Sequence, residues 1–286
     1  ARTYQFSIQS LTVIRFFSAL FFIGVPTTFM GGSLPLLVEG ISRRGARGEI
    51  NLLYAINIAG ACCGTIIAAY ALMPHFFLQA SLYIVALINI VIFIIAFLAE
   101  SKWPAQSTET SSKTSSPHME PIDKIIIFVG FSSGFLTFAY EVLWYHLLSL
   151  VVGTSSYAYS IMLFTTLLGM GFGAFVVRVF RRESHNNIKL IAFSQLALAF
   201  TVLLSLPFWD DIPALFLSLG LFANSFASME LLRFSACFLI ILAPAVTAGL
   251  TFPFLLEHLG NRYNKLGDAV GRIYAVNTVG TILGSV

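Results

Sequence analysis

Glu141 is the residue of this chain whose type and surroundings most favour chemistry. It lies inside a long apolar stretch, about two to three helical turns from the nearer end. A carboxylate in such a stretch is costly, and such carboxylates often mark a substrate path or a proton relay. The nearby rings of Tyr140, Trp144 and Tyr145 suit either role, because the face of an aromatic ring attracts a cation. These four residues are therefore candidates to hold a cationic solute or to relay a proton.

Helical spacing places Glu141 on one face with small and aromatic residues. The face consists of Gly130, Gly134, Thr137, Glu141 and Tyr145, at positions i, i+4, i+7, i+11 and i+15. A purely structural ion pair is the alternative interpretation of the carboxylate. Arg233 and His146 are the partners that the sequence offers for such a pair, and both interpretations stay open.

Two distant stretches of the chain repeat one pattern of polar residues, glycines and prolines. The first copy carries Arg15, Pro26, Gly31, Pro35, Glu39, Tyr54, Asn57, Gly60 and Gly64, and the second carries Arg233, Pro244, Gly249, Pro253, Glu257, Tyr274, Asn277, Gly280 and Gly284. The offset is 218 residues as far as the glutamate and 220 residues after it. A parallel internal repeat of this kind is typical of several transporter folds.

The tyrosines and asparagines of the repeat have two interpretations. Tyr54 and Asn57 share a stripe with the glycines of their helix, and Tyr274 and Asn277 do so in the second copy. The asparagines either bond a neighbouring helix beside a close glycine contact, which is worth about 0.6–2 kcal/mol, or line a substrate path. All four residues are therefore candidates for a binding site.

The charged residues of the repeat lie at helix ends. Arg15 and Arg233 open equivalent helices, where each either extends to the membrane interface or meets a partner on another helix. Glu39 and Glu257 lie at the opposite ends, where nearby arginines are expected to anchor them.

Each copy also holds two prolines inside its first helix, and each proline removes a backbone hydrogen bond. In lipid such breaks survive where neighbouring helices or a cavity satisfy the freed carbonyls. The helices are therefore either gating elements or ordinary kinked helices. The prolines are Pro26, Pro35, Pro244 and Pro253.

The composition is that of a helical membrane protein. Of 286 residues, 57% are hydrophobic and 10% are charged, against roughly 25% charged in a soluble domain, and the mean hydropathy is +0.86. The predicted fold class is an all-α polytopic membrane protein with the lipid bilayer as its first partner. The sequence shows no metal-ligand spacing and no pair of nucleophile and base, so we expect no cofactor, no metal and no enzymatic activity. The basic residues lie in short loops, which does not favour nucleic acid.

Apolar runs of about 20 residues, the length that crosses a bilayer, predict eight spans. They cover 11–38, 50–73, 76–99, 124–151, 156–180, 187–208, 229–257 and 268–286. A polar linker rich in Ser, Thr and Pro, residues 101–122, divides the chain. The connection that begins at Trp209 is expected to contain a short interfacial helix.

The basic residues predict which side of the membrane each loop faces. Of the 16 Lys and Arg residues, 13 fall in alternate loops, and the intervening connections hold none. By the positive-inside rule the basic loops, including linker 101–122, are cytoplasmic. We therefore expect an integral protein of the bacterial inner (plasma) membrane.

The motif Tyr140-Glu141-Val142-Leu143-Trp144, the stretch from Gly153 to Ser160 and the two repeated helices resemble the membrane part of fused major-facilitator/spermidine-synthase-like proteins. The resemblance covers nearly the whole chain. It implies a major-facilitator-like bundle of two parallel six-helix repeats, in which the eight spans are helices 4–11. Residues 1–100 would be the second half of the first repeat and residues 123–286 the second repeat. The chain is then expected to be a fragment, separated from a soluble aminopropyltransferase-like domain.

Two functions stay open on these grounds. The first is a transporter-like protein that moves a small polar or cationic, polyamine-like solute. The second is a non-transporting anchor or scaffold subunit, either of a larger complex with other membrane subunits or of a synthase-like domain.

Overall fold

The computed structural model describes residues 8–43, 50–102, 121–179, 187–262 and 266–286. Helices dominate these ranges, which contain no β-strand, so the predicted all-α class is confirmed. Residues 103–120 of the predicted linker lie outside the described residues. The elements are α1 (Ile8–Arg43), α2 (Ile50–Ile67), a π-helical turn (Ala68–Leu72), α3 (Met73–Lys102), α4 (Pro121–Val152), α5 (Ser156–Val179), α6 (Asn187–Ser205), α7 (Phe208–Gly220), α8 (Phe226–Arg262) and α9 (Leu266–Gly284).

Six helical segments in the described ranges are long and apolar enough to cross a membrane, which indicates an integral membrane protein. They are Ser10–Ile41, Leu52–Ala99, Ile122–Val152, Ser156–Val179, Ile188–Ser205 and Phe226–Leu259. The second segment has 48 residues, or about 70 Å of helix. That is more than twice a bilayer core of about 30 Å, so it has room for the two predicted spans 50–73 and 76–99.

The eighth predicted span corresponds to α9, which is a helix but is not among the six apolar segments. Asp268, Arg272 and Asn277 lower its hydropathy. The predicted short helix in the connection after Trp209 is present as α7. Asp210 and Asp211 lie in the first turn of α7, where the helix dipole favours negative charge.

The junction of α2 and α3 departs from regular helix at two places. Ala68–Leu72 form the π-helical turn, and Phe77 has φ 56° and ψ 177°, a positive φ that is rare for a bulky residue. Pro74 lies between them, and a proline inside a helix lacks an N–H and clashes with the preceding turn. The break between the predicted spans 50–73 and 76–99 is therefore found here.

α8 lies at the centre of the packing and contacts α2, α4, α5, α6, α7 and α9. Its residues Ile240, Ile241, Leu255 and Leu256 are fully buried. By contrast, most side chains of α1 and α3 are exposed. Most of the core therefore lies in the half of the chain that follows the linker, to which α1 and α2 add a few buried residues, among them Val38 and Tyr54.

Glycines bring two pairs of helices into close contact. A Cβ atom at Gly173 of α5 would collide with the Val246 carbonyl of α8. A Cβ atom at Gly280 or Gly284 of α9 would collide with a carbonyl of α4, that of Phe131 or Phe135. Because only glycine fits at these points, the α5–α8 and α4–α9 pairs pack backbone against backbone.

Hydroxyl and amide groups hold α6 against α8. Gln195 Nε2 donates to Thr251 Oγ1 over 2.7 Å, and Thr201 Oγ1 lies 3.0 Å from Thr247 Oγ1. Such polar bonds between helices contribute about 0.6–2 kcal/mol each in a membrane. They satisfy polar side chains that apolar surroundings would otherwise leave without partners.

Candidate functional site

Glu141 lines a small cavity between α4, α5 and α8. Trp144 and Tyr145 of α4, Tyr159 and Thr166 of α5 and Ile241 of α8 also line it. Glu141 lies eleven residues before the end of α4 at Val152, about 16 Å along the helix axis. The carboxylate is therefore well inside the apolar segment, as the sequence predicted.

Within the described ranges, no side chain forms an ion pair or hydrogen bond with Glu141. His146 Nδ1 lies 2.9 Å from the backbone carbonyl of Val142. Arg233 pairs with Glu230. Neither of the two partners offered by the sequence therefore meets Glu141, and the structural ion pair expected as the alternative is not formed with them.

Aromatic rings surround the carboxylate in two groups. Tyr140 and Trp144 stack with ring centroids 5.8 Å apart. Tyr145 meets Tyr159 edge to face at 5.5 Å. The cavity thus combines one acidic group with three lining rings, those of Trp144, Tyr145 and Tyr159. Such a combination attracts cations, since ring faces and a carboxylate both carry negative potential.

The size of the cavity limits what it holds in this conformation. Its volume is about 20 Å³, room for roughly one water molecule or one ammonium-sized group. Thr166 Oγ1 donates to the carbonyl of Met162 over 3.0 Å, so its oxygen is still able to accept a bond. The site can therefore hold a proton-carrying water or the head group of a primary amine.

Arg233 belongs to a second polar cluster, near the start of α8. Arg233 Nη1 donates to Glu230 Oε1 in an ion pair within α8. Tyr70 Oη, from the π-helical turn, donates to Glu230 Oε2 over 2.6 Å. The Tyr70 ring packs on Tyr157 with centroids 5.2 Å apart. The cluster therefore ties the two halves of the chain together and is a structural anchor.

Arg15, the counterpart of Arg233, lacks this arrangement. Its side chain is exposed and forms no ion pair with any residue in the described ranges. At the offset of the repeat, Thr12 occupies the position of Glu230, so the ion pair of the second copy has no acid in the first. Of the two interpretations, a partner on another helix is therefore not found for Arg15 within the described ranges.

The repeated tyrosines meet each other around one ring and lie apart from Glu141. Tyr54 and Tyr274 both contact Phe252 of α8, at centroid distances of 5.1 and 5.9 Å. All three rings belong to one apolar cluster, whereas Trp144 and Tyr145 belong to another. The structure does not bring these tyrosines to the cavity.

The two asparagines differ in their surroundings. Asn277 packs against Gly134 of α4, at the close contact of α4 and α9. Asn57 is exposed on α2. In the described ranges neither amide forms a hydrogen bond to another helix. The predicted close glycine contact is therefore found for Asn277, without the expected bond.

The four prolines lie inside continuous helices. Pro26 and Pro35 lie within α1, and Pro244 and Pro253 within α8. Pro244 is fully buried, so neighbouring helices surround the point at which a hydrogen bond is lost. A gating role for these helices stays a prediction.

Glu39 anchors the start of another helix. Its Oε2 accepts a hydrogen bond from the backbone N–H of Gly267 over 2.9 Å. The carboxylate thus caps the N-terminal end of α9, where free N–H groups favour a negative charge. The arginines predicted to anchor Glu39 lie outside the described side chains. The bond to the start of α9 is an anchor that the sequence did not predict.

Three of these residues are not predicted as site residues by the sequence: Tyr70, Glu230 and Tyr159. Glu230 and Arg233 stand at i and i+3, a spacing that indicates a pair on one helix. The predicted span began at 229, so Glu230 stood at its edge, whereas α8 begins at Phe226. No sequence signal pointed to Tyr70, because it meets Glu230 across a separation of 160 residues along the chain.

The comparisons with known proteins add no relative: no protein-family model, no curated protein and no solved structure matches the chain.

Proposed function

We propose that the chain is a transporter-like integral membrane protein whose Glu141 cavity holds the cationic group of a small solute or a proton. The observation that carries this is Glu141 itself. It is a largely buried carboxylate, beside three aromatic rings, with no ion pair in the described ranges. A charge that is costly to bury and serves no structural pair is most simply explained by a ligand.

The chemistry at this site is binding and release rather than reaction. The carboxylate supplies one negative charge, and the rings of Trp144, Tyr145 and Tyr159 supply the cation-attracting faces. The hydroxyl of Thr166 adds an acceptor for an N–H group. A primary amine, such as one end of a polyamine, matches these groups, and a protonated water does as well.

The architecture proposed for the chain is a major-facilitator-like bundle of two parallel six-helix repeats, of which helices 4–11 are present. α1 and α8 support it, because both are long helices with two prolines at equivalent positions. The family proposed on the sequence motifs is the membrane part of major-facilitator/spermidine-synthase-like proteins. The location proposed from charge is the bacterial inner membrane, with linker 101–122 in the cytoplasm.

Uptake into proteoliposomes tests the transport proposal. Wild-type protein should accumulate labelled spermidine above protein-free liposomes or, if it carries protons, change the signal of an internal pH dye. Glu141→Gln removes the charge and keeps the shape, so we expect about tenfold to a hundredfold slower transport. Asp210→Asn, the same change at an exposed carboxylate of α7, serves as the control and should leave uptake unaltered.

Equal transport by wild type and Glu141→Gln would remove Glu141 from the mechanism. Absence of both signals with the wild type would exclude transport of these solutes.

A non-transporting scaffold subunit is the second candidate, and the exposure of α1 favours it. Phe22 and Phe29 of α1 are 75% and 78% exposed, and exposed apolar surface of this extent is typical of contact with lipid or another membrane subunit. Purification from native membranes in mild detergent separates the two functions. A stoichiometric partner together with absent uptake would support the scaffold.

A further inference from the structure

The two copies of the repeat give equivalent glycines unequal surroundings. Gly280 and Gly284 of α9 lie against the backbone of α4, whereas Cβ atoms at Gly60 and Gly64 of α2 would meet nothing within 4 Å. Equivalent sequence therefore forms a tight helix contact in one copy and an open face in the other.

α2 is buried on one side and open on the opposite side. Tyr54, Ile58 and Cys62 are buried, while Gly60 and Gly64 are exposed on the other side. Asn57 shares this open glycine face. In lipid, its amide would lack hydrogen-bond partners, which costs free energy, so a protein cover is favoured over lipid.

α9 shows the reverse pattern. Gly280 is buried against α4, whereas Thr278 and Ile282 are exposed. At the offset of the repeat, Thr278 and Ile282 correspond to Ile58 and Cys62, which are buried in α2. The side that is buried in α9 is therefore exposed in α2, and the side that is buried in α2 is exposed in α9.

α1 and α8 show the same difference. In α8, Ala245 and Val246 face Gly169 and Gly173 of α5. Their counterparts in α1 are Thr27 and Thr28. Both threonines are exposed, and their hydroxyl groups bond to carbonyls of their own helix.

α5 lies between α8 and α2. Its Gly169 and Gly173 pack on α8, and a Cβ atom at Gly171 would lie 3.1 Å from Ile58 Cγ2 of α2. If the first copy were packed as the second copy is, a helix equivalent to α5 would lie on Thr28 of α1, the counterpart of Val246. The same helix would lie on Thr278 of α9, the counterpart of Ile58. A helix equivalent to α4 would lie on Gly60 of α2. The three open surfaces are therefore those that α4 and α5 cover in the other copy.

We propose that the glycine face of α2, the threonine face of α1 and the exposed side of α9 together seat a pair of antiparallel transmembrane helices of the α4–α5 type. The first helix presents its backbone to Gly60 and Gly64, as α4 does to Gly280 and Gly284. The second carries small residues four apart, as at Gly169 and Gly173, and lies between α1 and α9. The proposal holds whether or not the chain transports a solute.

A second copy of the chain does not offer this pair, because its own α4 and α5 are engaged by α9 and α8. Lipid alone leaves the Asn57 amide without a partner. A second copy of the chain and lipid are therefore the two alternative occupants that the experiment has to exclude.

Binding of a helix pair to the whole chain tests the proposal. The chain is placed in lipid nanodiscs, and the probe is a dye-labelled peptide with the sequence of residues 121–179. Energy transfer to a dye on a tag of the chain should report saturable binding. Gly60→Leu/Gly64→Leu should weaken it by about tenfold to a hundredfold, since two large side chains overfill a close helix contact.

The double variant should leave the fold of the chain intact, because both glycines face open space, and an unchanged thermal unfolding curve verifies this. Ala192→Leu/Ala199→Leu, on the exposed side of α6, is the matched control and should bind the probe as the wild type does. A probe with Gly169→Leu/Gly173→Leu should also bind weakly.

Absence of binding, or equal binding by Gly60→Leu/Gly64→Leu, would overturn the proposal. Self-association of the chain that the same double variant abolishes would identify a second copy as the occupant and would also overturn it.

Discussion

Glu141 and Glu230 are two carboxylates among apolar helices, and their surroundings differ in kind. Glu230 holds an ion pair with Arg233 and accepts a hydrogen bond from Tyr70. Glu141 faces a cavity and three rings. At Glu230 the ion pair and the hydrogen bond offset the free-energy cost of burying a charge. At Glu141 that free-energy cost is left to be offset by a bound ligand. The difference separates a structural acid from a binding acid.

Neutralising each acid should therefore have a different effect on stability. Glu230→Gln loses an ion pair and leaves Arg233 partly buried without its acid, so we expect a loss of about 1–3 kcal/mol. Glu141→Gln removes an unpaired charge and should leave stability unchanged or raise it. Thermal unfolding of the purified protein in detergent measures both. A larger loss for Glu141→Gln than for Glu230→Gln would show that Glu141 is the structural acid.

At this scale the sequence indicated which residue was unusual but not what it contacts. Glu141 stood out because charge is rare in an apolar run. Identifying the partner of Arg233 required knowing where α8 begins. Identifying Tyr159 as a residue of the site required knowing how α5 packs against α4. Contacts between helices far apart in the chain follow from packing, which spacing along one helix does not specify.

Among the helices, glycines in equivalent motifs have unequal structural importance. Gly173 lies against the Val246 carbonyl, while Gly60 faces open space. The GxxxG pattern indicates that a helix is able to pack closely. It does not name the partner, which is why the α5–α8 and α4–α9 pairs could not be predicted although the long apolar helices could.

One added methyl group distinguishes these two glycines. Gly173→Ala should destabilise the chain by about 1–3 kcal/mol, because the Cβ atom collides with the backbone of α8. Gly60→Ala meets no atom and gains helix propensity, up to about 1 kcal/mol. Thermal unfolding of both variants in the same detergent provides the comparison. Equal stability of the two variants would contradict the close packing of α5 on α8.

For the whole molecule, the charge distribution predicts the orientation in the membrane. After replacement of the three cysteines by alanine, a single cysteine at Thr154 should react with a membrane-impermeant maleimide on intact cells. A cysteine at Ser115, in linker 101–122, should react only after the membrane is opened, since basic loops face the cytoplasm. The reverse labelling pattern would invert the proposed topology.

The class of the whole molecule was predictable because composition alone indicates a membrane protein. The placement of the core was not, because the repeat implies two equal halves. The described structure instead centres on α8, and the side chains of α1 and α3 are mostly exposed. The reason is that α4 and α5 pack on both repeated helices of the second copy, α8 and α9, whereas in the first copy α5 packs on one side of α2.

The π-helical turn at Ala68–Leu72 adds one residue to a helical turn. A π turn bonds residue i to i+5 and so takes one residue more than an α turn. Everything after it is rotated by about 100° relative to an uninterrupted helix. The π-helical turn and the kink at Phe77 together end the alignment that keeps one side of α2 against the protein. Beyond them the buried stripe does not continue, and residues 85–98 of α3 are exposed on all sides.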